Sequence, residues 1–242
     1  MSETRIFEVA ELDFKLSPRE WAFARDRAAE IREHWEDRKA AQPSLFNGRV
    51  LLLGWHRFET RADGALALRA GCFETDYAAF LAWRDFGDAG DEVCNGFSMA
   101  ALQSADGAFL LGEMAAHTAS AGAIYFAAGT PDRQDVFGDR VDLAASVTRE
   151  LEEETGISAS ETAYGPGWTV VHAPPRIACM KVMRLPVRAE AAKARIERFL
   201  ASETKPELAR MHIVRGVADL DPRMHEFTRA FLTHALAQSP AG

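Results

Sequence analysis

Between positions 149 and 157 the chain reads Arg149-Glu150-Leu151-Glu152-Glu153-Glu154-Thr155-Gly156-Ile157, a spacing that can aim several carboxylates at one divalent cation. At about 100° per residue on a helix, Leu143 and Val147 set the apolar direction. Glu150 and Glu154 then project within about 20° of Leu143, which puts both carboxylates toward the core. Glu152 projects the opposite way, and Glu153 lies on the flank beside Arg149 at a separation that permits an i,i+4 ion pair. Partly buried carboxylates that close together repel one another and lose hydration. A hard dication removes both penalties, because Mg²⁺ favours carboxylate oxygens, keeps several waters and takes its remaining ligands from substrate phosphates. Taken alone, the run fits equally a solvated acidic helix face closed by Gly156 as a C-cap.

A longer pattern separates these readings. The segment 129–157 resembles the Nudix box, in which a glycine and then a glutamate precede Arg-Glu-apolar-x-Glu-Glu-x-Gly-apolar. Arg149, Glu150, Leu151, Glu153, Glu154, Gly156 and Ile157 match the second half at every position. The first half departs from the box. Gly129 lies twenty positions before Arg149, six more than in the box, and Val141 stands in the register of the first glutamate. Asp142, the nearest acid, is placed to N-cap a helix beginning near Leu143. The stretch from Thr130 to Phe137 adds acids and one arginine beside the expected phosphate site, where it could shape specificity.

The resemblance implies a Nudix fold, an α+β architecture with a mixed sheet between helices. It also implies hydrolysis of a nucleoside diphosphate linked to another moiety, such as a nucleotide sugar or ADP-ribose, with Mg²⁺ or Mn²⁺ as cofactor. Metal binding falls by resemblance to Glu150, Glu153 and Glu154, substrate contact to Gly129, and orientation of the glutamates to Arg149. Catalysis would then draw on Arg149, Glu150 and Glu154 with a general base from a later loop. Glu207, in Lys205-Pro206-Glu207-Leu208 before an expected strand, is the first candidate for that base and Glu203 the second; failing both, Glu154 or Glu150 takes the proton. The missing first glutamate leaves a second class open, a Nudix-fold sensor that binds a nucleotide ligand without cleaving it.

The rest of the chain must position these groups. Its 242 residues suffice for a compact domain with an accessory region. A formal charge of −8 disfavours nucleic acid and anionic membrane faces as partners, whereas a small phosphorylated substrate remains open because a metal can supply local positive charge. Cys72, Cys94 and Cys179 show no metal-ligand spacing and read as buried thiols in a reducing compartment. No apolar signal core or membrane-length run is evident, so a cytoplasmic protein is expected.

Alternation predicts a strand over 5–16, and Ser17-Pro18 is expected to open a helix running to about Ala41. Strands are expected over 49–58 and 66–73, and a helix over 77–86. The acid- and glycine-rich stretch from Phe86 to Asp91 is the candidate boundary between an N-terminal α+β region, 1–90, and a Nudix domain, 91–242. Such an N-terminal region can complete a homodimer or cover an active site, although plain packing is the simpler reading. A hairpin is expected over 95–111, then a strand over 124–128 that delivers Gly129. Strands over 167–172, 177–187 and 209–217, a helix over 189–202 and a last helix opened by Asp221-Pro222 complete the reading. His56, His117, His172 and His212 form no ligand spacing. Tyr125 and Trp168 could stack on a base, although aromatic residues on strands are more often core.

Overall fold

Hydrophobic alternation and helical periodicity divide the chain into two mixed sheets and six helices, seen in a computed structural model that describes residues 3–87 and 93–238. The larger sheet runs in the order β1 (Arg5–Val9), β11 (Trp168–Ala173), β12 (Arg176–Arg184), β5 (Asn95–Gln103), β6 (Phe109–Met114) and β13 (Leu208–Val214). Two short strands, β7 (Ile124–Tyr125) and β8 (Ala128–Gly129), pair with β6 and β5. The smaller sheet runs β3 (Arg49–Thr60), β4 (Leu66–Asp76), β2 (Glu11–Leu16), β10 (Arg140–Val141) and β9 (Val136–Phe137). The helices are α1 (Ala22–Asp26), α2 (Ala28–Ala41), α3 (Tyr77–Phe86), α4 (Leu143–Thr155), α5 (Ala189–Ser202) and α6 (Glu226–Gln238).

The expected mixed α+β architecture is therefore present, its strands gathered in two mixed sheets. Successive side chains of a strand point to opposite faces, and the nearly continuous apolar runs of β5 and β12 leave both faces of the larger sheet to be covered. Phe14, Leu51, Leu53 and Leu68 from the smaller sheet, Ala100 and Leu102 from the larger, and Leu143, Val147 and Leu151 from α4 share one core. The opposite face of the larger sheet packs Met99, Phe109 and Val171 against Phe227, Phe231 and Leu232 of α6. Trp21, Trp35, Leu52, Phe73 and Trp83 form a third cluster that seats α2 and α3 on the outer face of the smaller sheet.

The single strand expected over 5–16 is two strands. Its alternation continues unbroken, but at Ala10, whose N–H is bonded to the Leu66 carbonyl, the chain leaves one sheet for the other. The first helix begins at Ala22 rather than at Pro18, and Arg27, in a non-helical conformation, divides it from α2. The last helix begins at Glu226, not at Asp221, whose side chain accepts the Arg223 N–H in a turn. The strand expected over 124–128 is interrupted at Phe126 and Ala127, so β7 and β8 serve different neighbours. Of the expected boundary from Phe86 to Asp91, Phe86 ends α3 and Gly87 caps it, and the rest lies outside the described residues. Pairing crosses the expected 1–90 and 91–242 division in both directions, since β1 joins β11 and β10 joins β2.

Where the sheets meet, His56 Nε2 lies 3.1 Å from His172 Nε2. One ring donates and the other accepts, so the pair needs at least one neutral ring. Burial lowers both pKa values, and the charges of His56 and Arg5 lower that of His172 further. A histidine depressed in the folded state takes up its proton first in the unfolded chain. Its stabilising contribution is therefore complete above the ordinary value near 6.5 and is lost as pH falls through the depressed folded value. Urea unfolding of wild type and His172→Gln at pH 7.5 and pH 5 should show the difference between the two proteins narrowing in acid. A constant difference would separate the pair from the pH response.

Candidate active site

The Asp142 carboxylate accepts the N–H groups of Ala144 and Ala145 at 3.0 and 3.1 Å and starts α4. Gly156, with a φ of 68°, ends it in the left-handed conformation that glycine adopts without a Cβ penalty. Asp142 is thus the expected cap. Asp142→Asn should leave stability nearly unchanged and Asp142→Ala should cost about 1 kcal/mol, measured by denaturant unfolding.

Within this frame the helix sorts its acids as the spacing predicts. Leu151 is fully buried, Glu154 is only 4% exposed, Glu150 is mostly buried and Glu152 faces solvent. One Glu154 oxygen accepts the Ala128 N–H at 3.0 Å, while the other, Oε2, is buried without a hydrogen-bond partner. Burial raises the Glu154 pKa well above the ordinary carboxylate value; the Ala128 bond opposes this, and the charges of Glu150, Glu207 and Glu153 add to it. Glu150 is pushed up to about 7, chiefly by burial, against the attraction of Arg149 and with help from Glu153 and Glu207.

Gly129 explains why Glu150 fits. An added Cβ would lie 2.3 Å from Glu150 Oε1, so only glycine lets the end of β8 approach the carboxylate this closely. Glu153, by contrast, has a side chain 61% exposed and is bonded to Arg149 at 3.2 Å. Among the described residues, no three histidine, cysteine, aspartate or glutamate side chains stand grouped as a set of ion ligands.

Arg149 ties the site together. Its Nη2 donates to both Asp135 oxygens at 3.1 and 3.3 Å, and its Nη1 lies 2.8 Å from Glu150 Oε1. Burial disfavours the guanidinium charge, but the bonds to Asp135 and the charges of Glu150 and Glu153 outweigh it and hold the pKa above the usual arginine value. Asp135 is almost completely buried and is the residue that sequence reasoning missed. The signal available was the Asp132-x-x-Asp135 spacing, which forms a reciprocal cap of a short 3₁₀ turn.

The inserted stretch is otherwise structural. Arg133 turns away to bond Glu74 at 2.7 Å, and β9 and β10 form a hairpin through Gly138. Val141, in the register of the missing glutamate, is core.

A cavity of about 1050 Å³ opens beside this cluster. Ala128, Gly129, Tyr125 and Glu207 are part of its lining, so Glu150 and Glu154 lie behind its wall where they meet Gly129 and Ala128. Glu207 precedes β13, its carbonyl accepts the Ala115 N–H, and its charge reaches both buried glutamates. Glu203 caps the C-terminal end of α5 and does not line the cavity. Trp168 is buried in the core beneath the Lys181 ammonium at 4.7 Å, whereas Tyr125 faces the cavity. His212 bonds Glu113 at 2.8 Å, and His117 lines the cavity. Cys72, Cys94 and Cys179 are buried free thiols. No described helix is long and apolar enough to cross a membrane.

Comparison with protein-family models gives no match, and comparison with curated proteins gives none either. Solved structures similar to the chain include a Nudix hydrolase from M. smegmatis, RenU, at 15% identity over 61% of this chain and 87% of that one, with a TM-score of 0.38. A MutT protein from Methanosarcina mazei Go1 is 16% identical over 60% of this chain and 95% of that one, with a TM-score of 0.39. A Nudix-family hydrolase from Clostridium perfringens is 14% identical over 59% and 96%, with a TM-score of 0.33.

Proposed function

We propose that this protein is a divalent-metal-dependent Nudix pyrophosphohydrolase that cleaves the diphosphate of a nucleoside diphosphate linked to another moiety, such as a nucleotide sugar or ADP-ribose. The observation that carries the reading is the unpartnered, buried Glu154 Oε2, set behind the cavity wall with Glu150 as its neighbour on the same helix face. A buried carboxylate oxygen without a donor is costly. Hard oxygen donors at that density fit Mg²⁺ or Mn²⁺.

Glu150 and Glu154 would hold the ion, with Glu153 joining them by leaving Arg149. When bound, the metal would act as a Lewis acid on the phosphoryl oxygens and lower the pKa of a bound water. The chain's own groups do the rest. The Ala128 N–H fixes one Glu154 oxygen and so aims the other. Asp135 holds Arg149, which in turn braces Glu150 and Glu153. Gly129 lets the backbone lie against the Glu150 carboxylate, and its contact with substrate belongs to the same proposal. Glu207, on the cavity wall before β13, would take the proton from an attacking water, a role its position in the lining supports.

A second reading, a nucleotide-binding sensor without turnover, draws on the buried Val141 at the first-glutamate register and on the outward position of Glu153. The burial of both Glu150 and Glu154 favours the enzyme. Three buried free thiols fit a cytoplasmic protein, and a homodimer completed through the N-terminal region belongs to the same proposal. A screen of nucleoside diphosphate sugars, ADP-ribose, dinucleotides, coenzyme A and nucleoside triphosphates with Mg²⁺ and Mn²⁺ should yield a nucleoside monophosphate and a phosphorylated partner. Tight binding of one compound without turnover would replace the hydrolase by the sensor.

A further inference from the structure

Part of the cavity lining is basic, in contrast to the acidic groups beside Ala128 and Gly129. Arg84 from the last turn of α3, Arg176 from the start of β12 and His225 from the approach to α6 all line the cavity, together with Arg38 of α2. These groups come from four separate parts of the chain. They share few counter-charges. Asp85 is divided among His34 at 3.1 Å, Arg84 at 3.1 Å and Arg38 at 3.8 Å. Among the described residues no carboxylate forms an ion pair with the half-buried Arg176. Burial and the nearby Arg84 charge lower the Arg176 pKa against the attraction of Glu226, and burial with both arginine charges lowers that of His225. Half-buried like charges repel, and an anion seated among them would relieve that repulsion.

The wall between these cations is aromatic. Phe97 and Phe227 meet edge to face at 5.5 Å, and the His225 ring stacks on Phe227 at 5.1 Å. A flat group carrying a dianion suits such a wall, and guanidinium forks match the oxygens of a phosphate.

We propose that the Arg84–Arg176–His225 part of the cavity binds a phosphate monoester, a second anionic group of the substrate besides the diphosphate that is cleaved. The proposal rests on the reading that the Glu150–Glu154 part takes the diphosphate. A cavity of about 1050 Å³ is at the upper end of the usual range for small-molecule sites, so it has space for a ligand with two separated anionic groups. Selectivity follows from the charge count, since two guanidinium groups pair better with a dianion than with a monoanion, and the His225 imidazole adds a hydrogen-bond donor.

The test is isothermal titration of the full-length protein with phenyl phosphate in EDTA, where neither metal nor a cleavable diphosphate is present. Saturable binding is expected, at least tenfold weaker in Arg176→Gln and in Arg84→Gln and intermediate in Arg176→Lys, which keeps the charge and loses the fork. Near-UV circular dichroism checks that each variant is folded, and Arg176→Lys carries the test if a glutamine variant is not. Benzoate should bind at least tenfold more weakly than phenyl phosphate. No binding by wild type, equal binding by wild type and Arg176→Gln, or equal affinity for benzoate would each overturn the proposal. The Mg²⁺-induced rise in unfolding midpoint, measured on the same wild-type protein, separates the two readings. If Mg²⁺ stabilises the protein and phenyl phosphate does not bind, the phosphate site fails while the metal site stands; phenyl phosphate binding without a Mg²⁺ effect is the reverse outcome and upholds the phosphate site.

Discussion

Glu154→Gln is expected to raise the unfolding midpoint of the metal-free protein at pH 7.5 and, if the proposed hydrolysis occurs, to lower it at least a hundredfold. The two effects share one cause. Glu154 is buried with one oxygen unpartnered, and burial raises its pKa well above the ordinary carboxylate value. A carboxyl group whose folded pKa is raised keeps its proton longer in the folded state. Its favourable contribution is complete below the unfolded value near 4.5 and is lost as pH rises through the folded value. Glu150, pushed up to about 7 mainly by burial, adds a window from about 4.5 to 7 with the same sign. Glutamine preserves the volume and the acceptor for the Ala128 N–H without the charge, so the variant should gain about 1–3 kcal/mol over wild type at pH 7.5 and less at pH 5. Mg²⁺ should reverse the order by stabilising wild type alone, by RT ln(1 + [L]/Kd). Thermal unfolding at both pH values, with and without Mg²⁺, checks all of this. A variant less stable than wild type in EDTA, or an equal Mg²⁺ response in both proteins, would remove the metal from this site.

The parts of the site that could be read in advance are those specified by short-range geometry. Helical periodicity turns Glu150 and Glu154 inward and Glu152 outward, and the Asp142 carboxylate reaches only the first amides of its own helix. Both depend on residues within about one turn of each other. Gly129 was expected to contact substrate, whereas its closeness to Glu150 Oε1 is visible only in three dimensions.

What was not legible depends on distant pairing. Nothing in the alternation of 5–16 says that Phe7 faces β11 while Phe14 pairs with β4, because each half has the same period two. Arg84, Arg176 and His225 each look like an ordinary surface charge in sequence, and they converge only because α3, β12 and the entry to α6 meet at one cavity. Asp135 was hidden for the same reason. An isolated acid in an irregular stretch carries no sign of the arginine fourteen positions later that it will hold.

Asp135→Ala is expected to destabilise the protein by about 3 kcal/mol and to lower any hydrolytic activity at least tenfold. The Asp135 side chain is only 2% exposed, and it is bonded through both oxygens to Arg149, itself mostly buried. Removing one member of a buried pair leaves the other charge without compensation, which typically costs 3–5 kcal/mol. The same change also removes the acceptor of the Asp132 N–H and so loosens the turn that leads into β9. Arg149 would keep Glu150 and Glu153 as partners, which offsets part of the loss and places the expected value at the lower end of that range. Asp135→Asn retains the shape and the turn contact, so it isolates the charge and should lose less stability. Denaturant unfolding of Asp135→Ala, Arg149→Ala and the double variant closes the cycle. If Asp135 acts through Arg149, the double variant should be less destabilised than the sum of the two by at least 1 kcal/mol. Additive losses would mean that Asp135 only closes its own turn, and the bracing of Glu150 would then rest on Arg149 without it.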